Sequence, residues 1–266
     1  MTIRNAAVAG QFYSDKPDQL HHDVMHYLRE TRTSFISDQI DPLHIKAIVV
    51  PHAGYIYSGG VAASAYNAIA ARKSQIKRII LLGPSHRVPL RTIALPDADT
   101  FTTPLGDIPL DTDTMQRLKS FQDVEVNALA HQYEHSLEVQ LPFLQSVLDD
   151  FLLIPLVVGH VSPQSVEQLL ELFIDSAENL IVISSDLSHF HPYSEAQQID
   201  TNTSELIEAK FYNLHGEQAC GCNPLNGLLK LAADKHLSVT TIDQCNSGDT
   251  AGSKDQVVGY GAYLVY

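Results

Sequence analysis

Basic residues are scarce in this chain: 17 Lys and Arg stand against 31 Asp and Glu in 266 residues, a formal charge of -14. Such a surface repels phosphodiester backbones and anionic lipid, which argues against a nucleic-acid or membrane partner. No apolar run reaches membrane-spanning length, and MTIRNAAVAGQFYSDK has no continuous apolar stretch after Arg4 to serve as a signal peptide. A cytoplasmic protein is expected. Cysteine is sparse as well: Cys220, Cys222 and Cys245 are odd in number and form no disulfide framework, so reduced thiols fit that compartment. Several catalytic signatures are missing. There is no G-x-S-x-G elbow and no H-E-x-x-H; GYIYSGG carries neither a P-loop lysine nor G-x-G-x-x-G. Serine hydrolysis, zinc proteolysis and nucleotide-dependent chemistry are disfavoured. Internal repeats, low-complexity tracts and biased linkers are absent too, which points to one domain over residues 1–266.

Hydrophobic residues make up 44% of the chain, enough to fill a single large core. A helix is expected from Asp15 through Pro17 to Glu30, capped by Asp15 and facing inward through Leu20, Val24 and Leu28. TRTSFISDQIDP reads as a loop. Buried strands follow near Ile45–Val50 and Ile79–Leu82, with a small-residue helix, GGVAASAYNAIAAR, after the turn PHAGYIYSG. Between Thr92 and Leu110 the alternation and turn residues suggest short antiparallel strands added to the sheet, then a helix over Thr112–Phe121. Pro142 must break or start a helix within HSLEVQLPFLQSVL. FLLIPLVVG, SPQSVEQLLELFIDSAE and NLIVISS form a βαβ unit. Helices over SEAQQIDTNTSELIEAKFYNL and NPLNGLLKLAADKH, the latter with Asn223 as N-cap, precede strands LSVTTID and VVGYGAYLVY. The expected fold is α/β: a single domain with a mixed, largely parallel central sheet flanked by helices.

Four strand-like runs end on metal-competent or acidic side chains: IVVPHAG at His52, IILLGPSH at His86, LIVISSDLSH at Asp186 and His189, and SVTTIDQC at Cys245. Open α/β sheets build ligand sites at such carboxyl ends. Each histidine alone could merely cap a strand end through hydrogen bonds; together, after equivalent strands, they favour a site. Asp186 sits where it can orient His189 or share a metal with it. His191, beside Pro192, ranks below His189. Cys245 is the sharpest of the three thiols because it follows a strand, although a lone cysteine is more often a small buried hydrophobe. Cys220 and Cys222 form a C-x-C pair with no partner pair, a weak metal signal. HQYEHSLEVQ offers His131 and His135 one helical turn apart with Glu134 and Glu138; His135 is expected in a pocket wall, with Tyr55 of the preceding turn as a further lining residue. His160 ends a strand with no partner nearby.

PHAGYIYSG, LLGPSHRVPL, EHSLEVQLPFL, PLVVG, SSDLSH and the late Cys245 resemble, in order, the successive signatures of the Memo family, whose prokaryotic members are also called AmmeMemoRadiSam system protein B. The resemblance runs from AGQFY to GYGAYLVY. It implies a fold like that of the class III extradiol dioxygenases (LigB-like) and a pocket of two histidines and a cysteine, matched to His52, His86 and Cys245. His189 and Asp186 match a further histidine and the acidic member of the SSD motif, and are expected to be catalytic. Iron(II) or copper is the implied metal. The carboxylate that completes the iron site of extradiol enzymes is replaced by a thiolate, so ring cleavage does not transfer with the fold. Val8 stands where some relatives have a histidine. Two functions follow: a metal-dependent oxidoreductase acting on a small organic substrate, or a metal- or peptide-binding adaptor using the same pocket, with Arg87 and Arg91 the nearest phosphate-binding candidates. AMMECR-type and radical SAM proteins are the implied partners.

Overall fold

A computed structural model describes residues 2–31 and 40–266. Its main sheet is built from runs too apolar to face water on either side. Strand β2 (Ala47–Val50) and strand β9 (Asn179–Ser184) are buried at every position, and β3 (Arg78–Pro84) at all but its first. Continuous burial of that kind belongs to parallel strands covered on both faces. The three lie in the order β2-β9-β3, followed by β8 (Leu152–Val158), and every ladder among the four is parallel.

Antiparallel strands flank this parallel centre. Strand β12 (Val257–Val265) runs against β2 and carries β10 (His189–His191) and β11 (Val239–Asn246); at the other end β4 (Ile93–Leu95) runs against β8 and holds β7 (Val124–Val126) in parallel. The sheet is therefore mixed, with its parallel character concentrated where the histidine-bearing strands lie. The region from Thr92 to Leu110 divides differently from expectation. Only β4 joins the main sheet; β5 (Thr100–Thr103) and β6 (Gly106–Pro109) form a hairpin that pairs with β1 (Ile3–Arg4) in a separate three-stranded sheet.

Helix α1 (Pro17–Glu30) buries Leu20 and Val24, as its spacing predicts, but its N-cap is Lys16 and no side chain caps it. The expected loop TRTSFISDQIDP falls largely on residues 32–39, outside the described residues. Helix α2 (Tyr55–Ile69) starts at Tyr55, so the turn before it is only PHAG. It packs on β2, β11 and β12 and is covered by α1. The short helices α3 (Thr112–Leu118), α4 (Ala128–Gln132), α5 (His135–Glu138) and α6 (Leu141–Val147) follow, and Pro142 lies in the first turn of α6, starting that helix rather than breaking one. Helix α7 (Pro163–Glu171) packs on α9 (Cys222–Asp234), which rests on β3, while α8 (Tyr193–Glu208) packs on β11 and β12. The N-cap of α9 is Gly221, not Asn223. One contiguous apolar cluster extends from Val8 to Val265. Among the described residues no helix is long and apolar enough to cross a membrane.

Candidate metal centre

Three neighbouring parallel strands end side by side and release three polar residues at one sheet edge: β2 leads to His52, β9 to Asp186, and β3 to His86. This is the crevice beyond the carboxyl ends of the strands where α/β folds bind ligands. The His52 and His86 rings meet edge to face with centroids 5.2 Å apart. His135, at the start of α5, stacks on His86 at 4.5 Å and meets His52 at 5.5 Å. Gly83 permits this approach, since a Cβ there would stand 2.7 Å from Ser136 Oγ and 2.9 Å from Leu137 Cδ2.

The thiol in this cluster is Cys220. Its Sγ lies 3.3 Å from His52 Nε2, and one ring nitrogen each from His52 and His86 together with the Cys220 sulfur fall within 4.8 Å of one another. Asp186, His189 and Cys220 form a second such group, and His86, Glu134 and His135 a third. Cys245 joins none of the groups found among the described residues. It sits on β11 opposite Tyr260, where burial, then Asp243, Asp249 and Asp200, push its thiol up to about 12. It is thus Cys220, and not the expected Cys245, that the fold brings beside His52 and His86 among the described residues. The physical reason is topological: β11 lies beyond β12, outside the run of parallel strands, whereas the turn before α9 folds directly onto the end of β9.

Hydrogen bonds hold that turn in place. Asp186 N donates to Cys220 Sγ at 3.3 Å, Cys220 N to Asp186 O at 3.3 Å, and Gly221 N to Ser185 Oγ at 2.9 Å. Asp186 Oδ1 in turn accepts from His52 N at 2.7 Å, and Oδ2 lies 3.9 Å from His52 Nε2. His86 is oriented by a residue whose role the sequence left unassigned: Glu134 accepts from His86 N at 2.6 Å and from Ser136 N at 2.9 Å, and pairs with His86 Nδ1 at 2.8 Å. A buried carboxylate against the far nitrogen of a histidine fixes the ring and frees Nε2 for a ligand.

Burial is the dominant electrostatic force here. It lowers His52 to about 3, with the neighbouring His86 adding to the effect, and lowers His135 to about 4, so both rings are neutral at neutral pH. Burial would raise Glu134, but its hydrogen bond and attraction to His86 win and hold it at about 2, an anion. Asp186 is raised by burial despite its bond from His52 N, and the Cys220 thiol is raised strongly by burial and then by Asp186.

A cleft of about 390 Å³ opens beside the cluster, lined by His52, His135, Asp186 and His189 together with Phe12, Tyr57, Val258 and Tyr260. His135 is thus a lining residue of this cleft. Tyr55 is not: it is buried, donates from its hydroxyl to Val139 O at 2.8 Å and packs on Tyr13 and Phe143, so Tyr57 takes the lining position. His191 pairs with Glu195 at the surface and His160 is exposed. His131 is buried and bonded to Ala94 O. Arg87 and Arg91 are exposed and line no part of this cleft.

Comparison with known proteins agrees with this arrangement of signatures. Residues 4–264 match the family model described as Memo-like protein. A MEMO1 family protein of Aquifex aeolicus is 35% identical over 278 residues, covering 98% of each chain, and one from Methanosarcina barkeri is 33% identical over 282 residues, covering 99% of this chain and 100% of its own. A crystal structure of an uncharacterized Escherichia coli K12 protein superimposes with a TM-score of 0.48 at 14% identity, over 80% of this chain and 98% of that one. By a family match and relatives that both span nearly its whole length, the chain belongs to the Memo family.

Proposed function

We propose that this protein holds a redox-active transition metal, iron(II) or copper, through His52, His86 and Cys220, and acts as a metal-dependent oxidoreductase on a small organic molecule bound in the adjacent cleft. The observation that carries the reading is the convergence within 4.8 Å of two histidine nitrogens, from the ends of β2 and β3, and the sulfur of Cys220. The donor set fits such an ion. Metal-binding imidazoles must be neutral, as burial makes His52, and the carboxylate behind His86 is the usual orienting partner of a ligating ring. Imidazole with thiolate is a set suited to iron and copper.

A metal held there supplies electron-transfer chemistry that the side chains of the cleft lack. The chain's own contribution is binding and proton handling. Phe12, Tyr57 and Tyr260 offer aromatic surface to a flat, apolar substrate body. His135 is a neutral proton acceptor facing the cleft, and Asp186, within 4.8 Å of His189, is a carboxyl that burial makes readier to hold a proton. Among the described residues no Lys or Arg lines the cleft, so none of them offers a counter-charge to a phosphorylated peptide there.

Metal content after purification without oxygen tests this reading. Stoichiometric iron or copper is expected in the wild type and in Cys245→Ser, with loss in His52→Ala and Cys220→Ser. Loss from Cys245→Ser with retention in Cys220→Ser would reverse the thiol assignment, and a metal-free wild type would sink the reading. The soft Cys220 donor also suits copper(I) carried without turnover. Oxygen consumption by the metal-loaded protein with catechol-type compounds separates an enzyme from such a carrier.

A further inference from the structure

His52 presents its Nε2 toward Cys220, and the choice of that nitrogen is dictated by residues outside the cleft. The ring's other nitrogen, Nδ1, lies 2.8 Å from Ser184 Oγ. Ser184 Oγ is also 2.6 Å from Ser136 O and 2.9 Å from Gln140 Nε2, and Gln140 Nε2 is 2.8 Å from Pro51 O. Gln140 Oε1 accepts from Tyr66 OH at 2.9 Å. His52, Ser184, Gln140 and Tyr66 are all essentially inaccessible to solvent, so water cannot complete or reverse these bonds.

The protons in this chain can be placed by counting. A backbone carbonyl only accepts. The Gln140 atom facing Pro51 O must therefore be its NH2 group, which also donates to Ser184 Oγ. Ser184 has one proton, and Ser136 O at 2.6 Å requires it, because two oxygens at that separation with no proton between them repel. Both remaining demands on Ser184 are then met as an acceptor, one from Gln140 and one from His52. His52 Nδ1 consequently carries the ring proton, and Nε2 carries the lone pair.

We infer that Gln140 is a positioning residue that, through Ser184, locks His52 in the Nδ1–H tautomer so that Nε2 is the nitrogen offered to the centre. The inference rests on the metal-binding reading only for what Nε2 does; the tautomer itself is a property of the metal-free protein. Gln140's donation fills a lone pair of Ser184 and keeps its proton turned to Ser136 O; without it the hydroxyl can exchange that bond for one to Nδ1 in part of the molecules, which moves the ring proton to Nε2 and blocks the ligand position there. Glu134 performs the same task for His86 by a charged route. The buried ring beside Cys220 is served instead by a neutral relay, which adds no second anion next to Asp186.

A long-range 1H–15N correlation spectrum of the metal-free protein at neutral pH reads this directly, with His52→Ala identifying the resonances. His52 is expected as Nδ1–H alone in the wild type. Gln140→Met, close in volume but without a donor, is expected to give a mixture containing Nε2–H. Ser184→Ala is expected to do the same and replaces it should the first variant not fold. Tyr66→Phe, which leaves both Gln140 donations intact, keeps the wild-type tautomer. Affinity for iron(II), added without oxygen, falls roughly 10–100-fold in the Gln140 and Ser184 variants, the range seen when a ligand's supporting partner is removed. An Nε2–H ring in the wild type overturns the inference. So do unchanged tautomers in both relay variants, a Tyr66→Phe shift as large as theirs, or a tautomer shift that leaves iron(II) affinity unaltered. A wild type that shows the Nδ1–H ring and loses it in the variants, yet binds neither iron(II) nor copper, supports the relay while refuting the metal reading.

Discussion

At the scale of single residues, the position of the thiol depends on the glycine after it. A Cβ on Gly221 would stand 2.6 Å from Ser185 Cβ and 2.7 Å from Ser184 O, so only glycine lets the turn lie flat on the end of β9. Gly221→Ala must push the turn away, at about 1–3 kcal/mol for overpacking, and carry Cys220 from His52. The expected result is a folded protein whose iron or copper affinity drops at least roughly tenfold, measured by metal titration alongside thermal unfolding; full affinity in a folded variant would count against the proposed ligand. The same dependence explains why Cys220 was hard to find in the sequence. His52, His86 and Asp186 were legible because each follows an apolar strand, whose end is where ligands gather. Cys220 follows no strand, and what brings it in is a tertiary contact that only a glycine, read without its neighbour, could have hinted at. Tyr55 failed for a related reason. The helix begins at that residue, and two positions along a helix turn the side chain by about 200°, so Tyr55 enters the core while Tyr57 faces the cleft.

At the scale of elements, the stretch from α4 to the start of α6 is one supporting wall. Glu134 orients His86, His135 lines the cleft, Gln140 reaches Ser184, and Glu138 ties down the amino-terminal segment. Glu138 is fully buried: it pairs with Arg4 and accepts from Ala7 N, Val8 N and Tyr13 OH, while Arg4 also donates to His131 O and Glu134 O. Removing one partner of such a pair strands the other charge, so Glu138→Ala should cost about 3–5 kcal/mol in urea unfolding. An apolar double replacement, Arg4→Met with Glu138→Leu, is expected to recover little of this, because the backbone groups and the tyrosine would remain buried without partners. Recovery to near wild-type stability would show that the ion pair, and not its surrounding bonds, is what matters. This clamp was not legible in the sequence, since β1 is two residues long and its partner β5 lies far along the chain. The parallel strands were legible because burial on both faces leaves a continuous apolar run. The hairpin of β5 and β6 was seen as strands, but its membership of a separate sheet depends on β1, which carries no such run.

At the scale of the whole molecule, the protein is built to keep its inner histidines uncharged, and its stability should therefore fall in mild acid. His52 is held at about 3 and His131 and His135 at about 4, in each case first by burial, against an ordinary value of 6.5. In the unfolded chain the same rings take up protons once the pH drops below about 6.5. Between that point and pH 4 the unfolded state binds more protons than the folded one, and stability is lost as pH falls through this window. Glu134, held at about 2, extends the loss below 4.5, where the unfolded carboxyl protonates first. Asp186 and Asp200 act in the opposite sense, since burial raises both and the folded state protonates them earlier. His131 isolates the effect, because it lies outside the candidate metal groups and donates from Nε2 to Ala94 O at 2.8 Å while its Nδ1 has no partner to hold a second proton. A depression from 6.5 to about 4 corresponds to roughly 3 kcal/mol across the window. His131→Gln can keep a donor to Ala94 O without a titrating group. Relative to wild type, this variant should gain about 3 kcal/mol of unfolding free energy between pH 7 and pH 4, followed by urea denaturation of both proteins without metal. Stability curves that stay parallel across that range would show that the buried histidine is not what makes the fold sensitive to acid.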